Sequence, residues 1–136
     1  MSLKRYISKK LTYFNPKVKQ LWSPLAYYMA SELFHEILTA VNYLHTKINP
    51  KVIHRNIKPT NILLKPYGQG RFIKITDFCT AVYHGERSQS HSQGAGTERY
   101  MAPEVKVGRK YNERADVYSL GIMAQELFNF DLNTVE

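Results

Sequence analysis

The segment HRNIKPTNILL, residues 54–64, concentrates side chains that could carry out chemistry. Its pattern is typical of phosphoryl transfer, in which a positioned side chain accepts a proton from the attacking hydroxyl group. The position that should hold this acceptor is Asn56, and a neutral amide cannot do that work. Further along, Asp77 follows a predicted strand and offers the carboxylate oxygen that a hard cation prefers. These residues indicate phosphate and cation chemistry without an evident base.

A long helix is predicted before this segment. Ser23 is a typical N-cap and Pro24 suits the first helical position, so the helix should run from there to about residue 46. Its apolar residues recur at helical spacing and form one stripe: Met29, Leu33, Ile37, Val41 and Leu44, widened by Phe34, Leu38 and Ala40. The basic run 4–10 looks like the solvated face of another short helix.

Short strands should follow the long helix. Apolar pairs and runs predict strands at 52–53, 62–65 and 72–75, and the tight turn at 66–70 predicts that the last two pair antiparallel. Residues 83–96 are rich in Ser, Gly, Gln and His and predict a long loop. Pro103 should begin a short helix.

The last predicted helix, about 112–128, is apolar nearly all round, and such a helix is normally buried. Eight residues follow it, too few to cover its far side. We therefore expect the chain to be a truncated part of a larger domain.

Composition narrows the classes of partner. The net charge is +8, but the basic residues are scattered and no aromatic side chains interleave with them, which favours a lysine-rich surface over a nucleic-acid partner. No apolar run approaches the roughly 20 residues of a membrane span. The only cysteine, Cys79, excludes an intrachain disulfide and favours a reducing, cytoplasmic compartment. We expect a protein substrate or protein partner, with neither nucleic acid nor membrane.

Four segments together resemble the C-terminal lobe of eukaryotic protein kinases. They are HRNIKPTN at 54–61, DFC at 77–79, GTERYMAPE at 96–104 and ADVYSLG at 115–121. Lys58-Pro59 and Gly96-Thr97 resemble the serine/threonine class. The resemblance implies an α+β, protein-kinase-like fold with a mainly helical C-lobe and short antiparallel strands. On this view residues 1–136 are a partial kinase domain, from the helix after the hinge to the buried helix, and the N-lobe is absent.

The resemblance also implies ATP and Mg²⁺ as cofactors and gives roles to particular residues. Asp77 and Asn61 match the residues that bind magnesium, and Lys58 matches the lysine that steadies the transferring phosphate. Thr97 matches the threonine beside the reaction centre, and Leu63 should form part of the apolar floor under adenine.

Other matches concern the frame of the site. Asp116 matches an anchor for the backbone of the catalytic loop. His54 and Phe78 match core residues whose alignment accompanies the active state. Such residues support the fold and not the chemistry.

Three departures from the kinase pattern bear on function. Asn56 stands where the pattern has the aspartate base, and losing a positioned base typically costs ~10²–10⁴ in rate. Cys79 replaces a glycine, which restricts the backbone; a small packed residue is favoured there over a reactive thiol. No glycine-rich phosphate loop, strand lysine or partner glutamate can be assigned, and the arginine that would pair with Glu104 is missing.

Several alternatives stay open from the sequence. The chain could be a catalytically impaired serine/threonine kinase-like domain, a non-catalytic scaffold, or a degenerate gene fragment. Phosphorylation at Ser88, Ser90 or Ser92 could pair with Arg55, or the same segment could be a flexible polar loop.

Overall fold

Helix α2 (Pro24–Thr46) is the longest element of the computed structural model, which describes residues 1–13, 23–68, 70–84 and 96–130. The Ser23 hydroxyl accepts a hydrogen bond from the Ala26 N–H at 3.2 Å, and Pro24 takes the first helical position. The Ser23 oxygen satisfies one N–H group of the first turn, and Pro24 has no N–H that would need a partner. The predicted start is therefore confirmed. The predicted end is confirmed as well.

The buried stripe of α2 differs from the predicted one at its margins. Leu33, Ile37, Val41 and Leu44 are buried as predicted, but Met29 and Leu38 are exposed. Ala26 and Ala30 are buried in their place. The buried positions recur every three or four residues along the helix. Met29 falls outside this series and is exposed, although its side chain is long and apolar.

Helix α1 (Leu3–Tyr13) covers the other side of the core. Leu3 and Ile7 are buried, whereas Lys4, Arg5 and Lys9 are exposed, so the solvated basic face is as predicted. These two apolar residues join α2, Ile57, Ile62 and the apolar side of the last helix in one cluster.

Four strands form two antiparallel pairs among the described residues. Strands β2 (Ile62–Tyr67) and β3 (Gly70–Ile75) pair with Ile62 opposite Ile75, which confirms the predicted hairpin and lengthens both strands. Strands β1 (Lys51–Ile53) and β4 (Val82–His84) pair with Ile53 opposite Val82. The prediction that the loop begins at residue 83 is wrong, because pairing with the distant β1 extends a strand through His84.

Helices α3 (Pro103–Lys106) and α4 (Arg114–Phe128) complete the fold. One side of α4 is buried, through Leu120, Met123 and Leu127, but Val117 is 56% exposed. Among the described residues, α2 and the turn at 98–100 contact α4 on one side, so its far side is left exposed, as predicted. Met101, Ala102, Val105, Tyr111 and Ala115 form a second, smaller core.

This arrangement confirms an α+β fold with mainly helical character and short antiparallel strands. Among the described helices, none is both long enough and apolar enough to span a membrane. The proposed phosphorylation sites Ser88, Ser90 and Ser92 lie outside the described residues.

Candidate active site

A buried carboxylate fixes the start of the 54–61 loop. Asp116 in α4 is fully buried, and its two oxygens accept the backbone N–H groups of His54 and Arg55, each at 2.8 Å. His45 Nε2 also lies 2.8 Å from Asp116 Oδ2. Because a buried charge is costly unless several donors satisfy it, Asp116 belongs to the frame and holds the loop backbone, as the resemblance implied.

Arg55 ties this loop to two other segments. Its backbone has φ 65, and its guanidinium donates to the Thr80 carbonyl oxygen and, at 2.8 Å, to the Tyr111 hydroxyl. The Thr80 hydroxyl in turn donates to the His54 carbonyl oxygen at 3.0 Å. The loop is thus held to the segment after Asp77 and to the second core. Tyr111 and Thr80 were not predicted from the sequence, because neither residue type carries a local signal for this contact.

Five of the six predicted site residues meet in one hydrogen-bonded network, and the sixth lies apart. The connected residues are Asn56, Lys58, Asn61, Asp77 and Thr97. Leu63 is half-buried in β2, where it pairs with Lys74 and with Ser2. The network brings together groups up to 41 positions apart in sequence.

Two hydrogen bonds link Lys58 to Asn56 through Thr97. Lys58 Nζ donates to Thr97 Oγ1 at 2.6 Å, and Thr97 Oγ1 donates to Asn56 Oδ1 at 3.1 Å. On its other side, Asn56 Nδ2 donates to Asp77 Oδ2 at 2.9 Å. The Asn56 amide therefore bridges the segment at 96–97 and the carboxylate at 77.

Asn61 supports the same carboxylate from a short 3₁₀ turn, Pro59–Asn61. Its Nδ2 donates to the Asn56 carbonyl oxygen at 2.9 Å and to Asp77 Oδ2 at 3.1 Å. The Asn61 backbone carbonyl accepts from the N–H and the hydroxyl of Thr76. These bonds hold a buried amide in a single orientation beside Asp77.

Asp77 is exposed and has a left-handed backbone, with φ 66 and ψ 64. Its carboxylate accepts the Cys79 thiol at 2.7 Å on Oδ1. That bond, followed by the donors from Asn61 and Asn56 and the charge of Lys58, holds the pKa of Asp77 below its ordinary value, against the opposing effect of desolvation. The group is a carboxylate at neutral pH.

The environment of Phe78 and Cys79 differs from the prediction. Phe78 contacts the fully buried His54 edge-on, with ring centroids 4.7 Å apart, but Phe78 itself is 44% exposed. Cys79 is exposed and not packed. Both residues lie in the short 3₁₀ turn Phe78–Thr80, and neither belongs to the two core clusters of the described residues.

The donor types at Asp77 and Asn61 suit a hard divalent cation. A carboxylate and an amide carbonyl oxygen are typical ligands of Mg²⁺, which keeps several waters and takes few protein groups. Among the described residues, Asp77 Oδ1 accepts one donor, which leaves it a lone pair, and Asn61 Oδ1 has only a long contact with the Thr60 hydroxyl at 3.5 Å. No cluster of three or more His, Cys, Asp or Glu residues occurs in the described part of the chain. A cation here would rest on these two residues and on groups outside the protein.

Comparison with known proteins gives one family and many relatives. The model of the family described as protein kinase domain matches residues 2–133. An Aurora kinase of Candida glabrata is 35% identical over 99 residues, covering 73% of this chain and 26% of that protein. A dual specificity mitogen-activated protein kinase kinase of Caenorhabditis elegans is 36% identical, covering 80% of the chain, and a serine/threonine-protein kinase of Saccharomyces cerevisiae is 39% identical, covering 77%. The chain spans 15% to 26% of the length of these three relatives.

Proposed function

Because this chain belongs to the protein kinase family, we propose that it is a serine/threonine kinase-like domain in which phosphoryl transfer from ATP is impaired. The observation that carries the proposal is the hydrogen bonding of Asn56. Its Oδ1 already accepts the Thr97 hydroxyl, and its Nδ2 donates to Asp77. No titratable oxygen at this position can take a proton from a substrate hydroxyl, whereas the groups around it keep their places.

The remaining residues have proposed roles in holding reactants. Lys58 would neutralise phosphate charge, with Thr97 fixing its ammonium group. Asp77 and Asn61 would hold Mg²⁺, which supplies charge neutralisation to the phosphates of ATP when bound. Leu63 would lie under the adenine ring. Since positioning and electrostatics supply most of this chemistry, slow residual transfer is expected even without a base.

We also propose a protein as substrate or partner, and an intracellular, cytoplasmic location. The free thiol of Cys79 supports the second point, because exposed unpaired thiols persist in reducing compartments.

The test is a kinase assay on the protein with Mg·ATP and a protein substrate. We expect Asn56→Asp to raise the rate of transfer by ~10²–10⁴, because it restores a positioned base. Asp77→Asn in the same background is the control, since it should abolish the gain and so exclude a contaminating kinase. Turnover of the original protein equal to that of Asn56→Asp would overturn the impairment.

A non-catalytic binding module is the second candidate. One observation favours it: Val117 and Tyr118, consecutive residues of α4, both have exposed side chains that a partner could cover. Absence of transfer in Asn56→Asp, together with ATP-independent capture of a partner that is lost on Val117→Asp, would favour this candidate. A cooperative unfolding transition would exclude the third possibility, a degenerate fragment.

A further inference from the structure

The carboxylate of Asp77 carries three hydrogen bonds from side chains, and two of them fall on one oxygen. Asn56 Nδ2 and Asn61 Nδ2 lie 2.9 Å and 3.1 Å from Oδ2, and the Cys79 thiol lies 2.7 Å from Oδ1. A carboxylate oxygen has two lone-pair directions, so Oδ2 is fully occupied. The negative charge of Asp77 is thus compensated by N–H and S–H dipoles of the chain itself.

The direction of the Asn56 amide follows from its neighbours. An ammonium group can only donate, so the Lys58 bond makes Thr97 Oγ1 an acceptor and leaves the hydroxyl proton free to donate onward. That proton goes to Asn56 Oδ1, which places Nδ2 toward Asp77. An ionised Asp77 can only accept hydrogen bonds, so it too requires the Asn56 amide to present its Nδ2 and not its Oδ1.

A carboxylate at position 56 could not make this arrangement. It would place a second negative oxygen where Asn56 Nδ2 now lies, 2.9 Å from Asp77 Oδ2. Two carboxylates at that distance cannot both stay ionised unless a cation lies between or beside them. The amide therefore changes the charge balance of the site as well as its proton chemistry.

We propose that the Asn56 amide is a positioning residue that serves as the counter-group of Asp77 in place of a divalent cation, so that the site assembles without metal and binds a divalent cation weakly. The inference deepens the proposed function and rests on it for the identity of the site. It makes the loss of the base and the weaker binding of a divalent cation two results of one substitution.

The experiment compares three forms of the full chain: the original, Asn56→Asp, and Asn42→Asp. The last makes the same chemical change at an exposed position of α2 and serves as the matched control. Thermal unfolding is recorded in chelator and in MgCl₂, with KCl at equal ionic strength. We expect the midpoints of the original and of Asn42→Asp to be unchanged by Mg²⁺, and that of Asn56→Asp to be lower in chelator and to recover with Mg²⁺.

Binding of Mn²⁺ is then measured directly by the broadening of amide resonances near Asp77. Adding a unit charge next to a divalent ion should tighten binding by about tenfold or more in Asn56→Asp. Equal Mn²⁺ affinity in the original and in Asn56→Asp would overturn the proposal, as would Mg²⁺-dependent stability of the original.

If Asn56→Asp does not fold even with Mg²⁺, the proposal is tested by a Mn²⁺ titration of the original protein. Its Asn56 side-chain NH₂ resonances should keep their positions and widths when Mn²⁺ is added at the concentration that saturates a free carboxylate pair in a reference peptide. Their loss would overturn the proposal. Neither readout involves ATP or phosphate transfer, so equal turnover of the original protein and of Asn56→Asp would contradict the proposed function and leave this inference standing.

Discussion

Lys58 Nζ lies 2.6 Å from Thr97 Oγ1, although 39 positions separate the two residues in the sequence. The bond joins the loop after β1 to the segment before α3, and Thr97 also donates to Asn56 Oδ1. The site is therefore assembled by side chains that meet across the molecule.

Replacing Thr97 tests whether this bond organises the site. Thr97→Val should leave Asn56 Oδ1 and the Lys58 ammonium without their shared partner and lower the free energy of unfolding by about 1 kcal/mol. Thr97→Ser keeps the hydroxyl and is the control. Urea unfolding gives the energies, and the Asn56 side-chain amide shifts give the local effect. Equal shifts in the two variants would show that the hydroxyl does not orient the amide.

Asp116 should be the most sensitive polar position of the described residues. Asp116→Ala leaves the backbone N–H groups of His54 and Arg55 buried without an acceptor, and breaking such a buried charged contact costs about 3–5 kcal/mol. Denaturant unfolding measures the loss. Glu126→Gln, at a half-buried ion pair with Arg99, is the comparison and should cost about 1 kcal/mol or less. A similar cost for both would contradict the anchoring role.

Gly96 should not tolerate a side chain. A Cβ there would lie 2.5 Å from the Arg55 carbonyl oxygen, and its φ of 129 is one that residues with a side chain rarely adopt. We expect Gly96→Ala to cost about 1–3 kcal/mol, measured by chemical denaturation.

Gly121 supplies the matched control for that substitution. It lies in α4 with nothing within 4 Å of an added Cβ, so Gly121→Ala should stabilise by about 0.5–1 kcal/mol. If both variants lose stability equally, the close approach at Gly96 is not the cause.

Stability should fall between neutral and mildly acidic pH because of His54. Burial holds the pKa of His54 below its ordinary value of 6.5, so below that pH the unfolded chain takes up a proton that the folded chain does not. The free energy of unfolding should therefore decrease as pH falls below about 6.5, by at most about 1.4 kcal/mol per pH unit for this proton. The lowered pKa of Asp77 acts in a separate range, below 3.8.

The check is urea unfolding of the original protein and of His54→Gln across this range. The variant cannot take up the proton and should show a flatter dependence, while the other histidines contribute equally to both. Identical slopes would show that His54 is not the source.

Much of the fold could be predicted because its signals are local. The Ser23 cap, the turn near Gly68 and the Pro103 start each act over a few residues, so α2, the β2–β3 hairpin and α3 were predicted within a few positions. Strand β4 was missed because its partner, β1, lies about thirty positions earlier, and no local pattern encodes that pairing.

Burial was predicted less well than secondary structure. Helical spacing placed Met29 in the buried stripe, and the resemblance placed Phe78 among the core residues, yet both are exposed. The periodic pattern states which residues share a side of a helix, but which side other elements cover depends on how those elements pack.

The sequence by itself determined the family and the types of group at the site, including the absence of a base at Asn56, because residue identity fixes which atoms can donate, accept or ionise. Only the tertiary structure decided how those groups are used: that the Asn56 amide joins Thr97 to Asp77, and that Asp116 holds the loop backbone. The physical reason is that hydrogen bonds act over about 3 Å, so partners distant in sequence are chosen by the folded geometry alone.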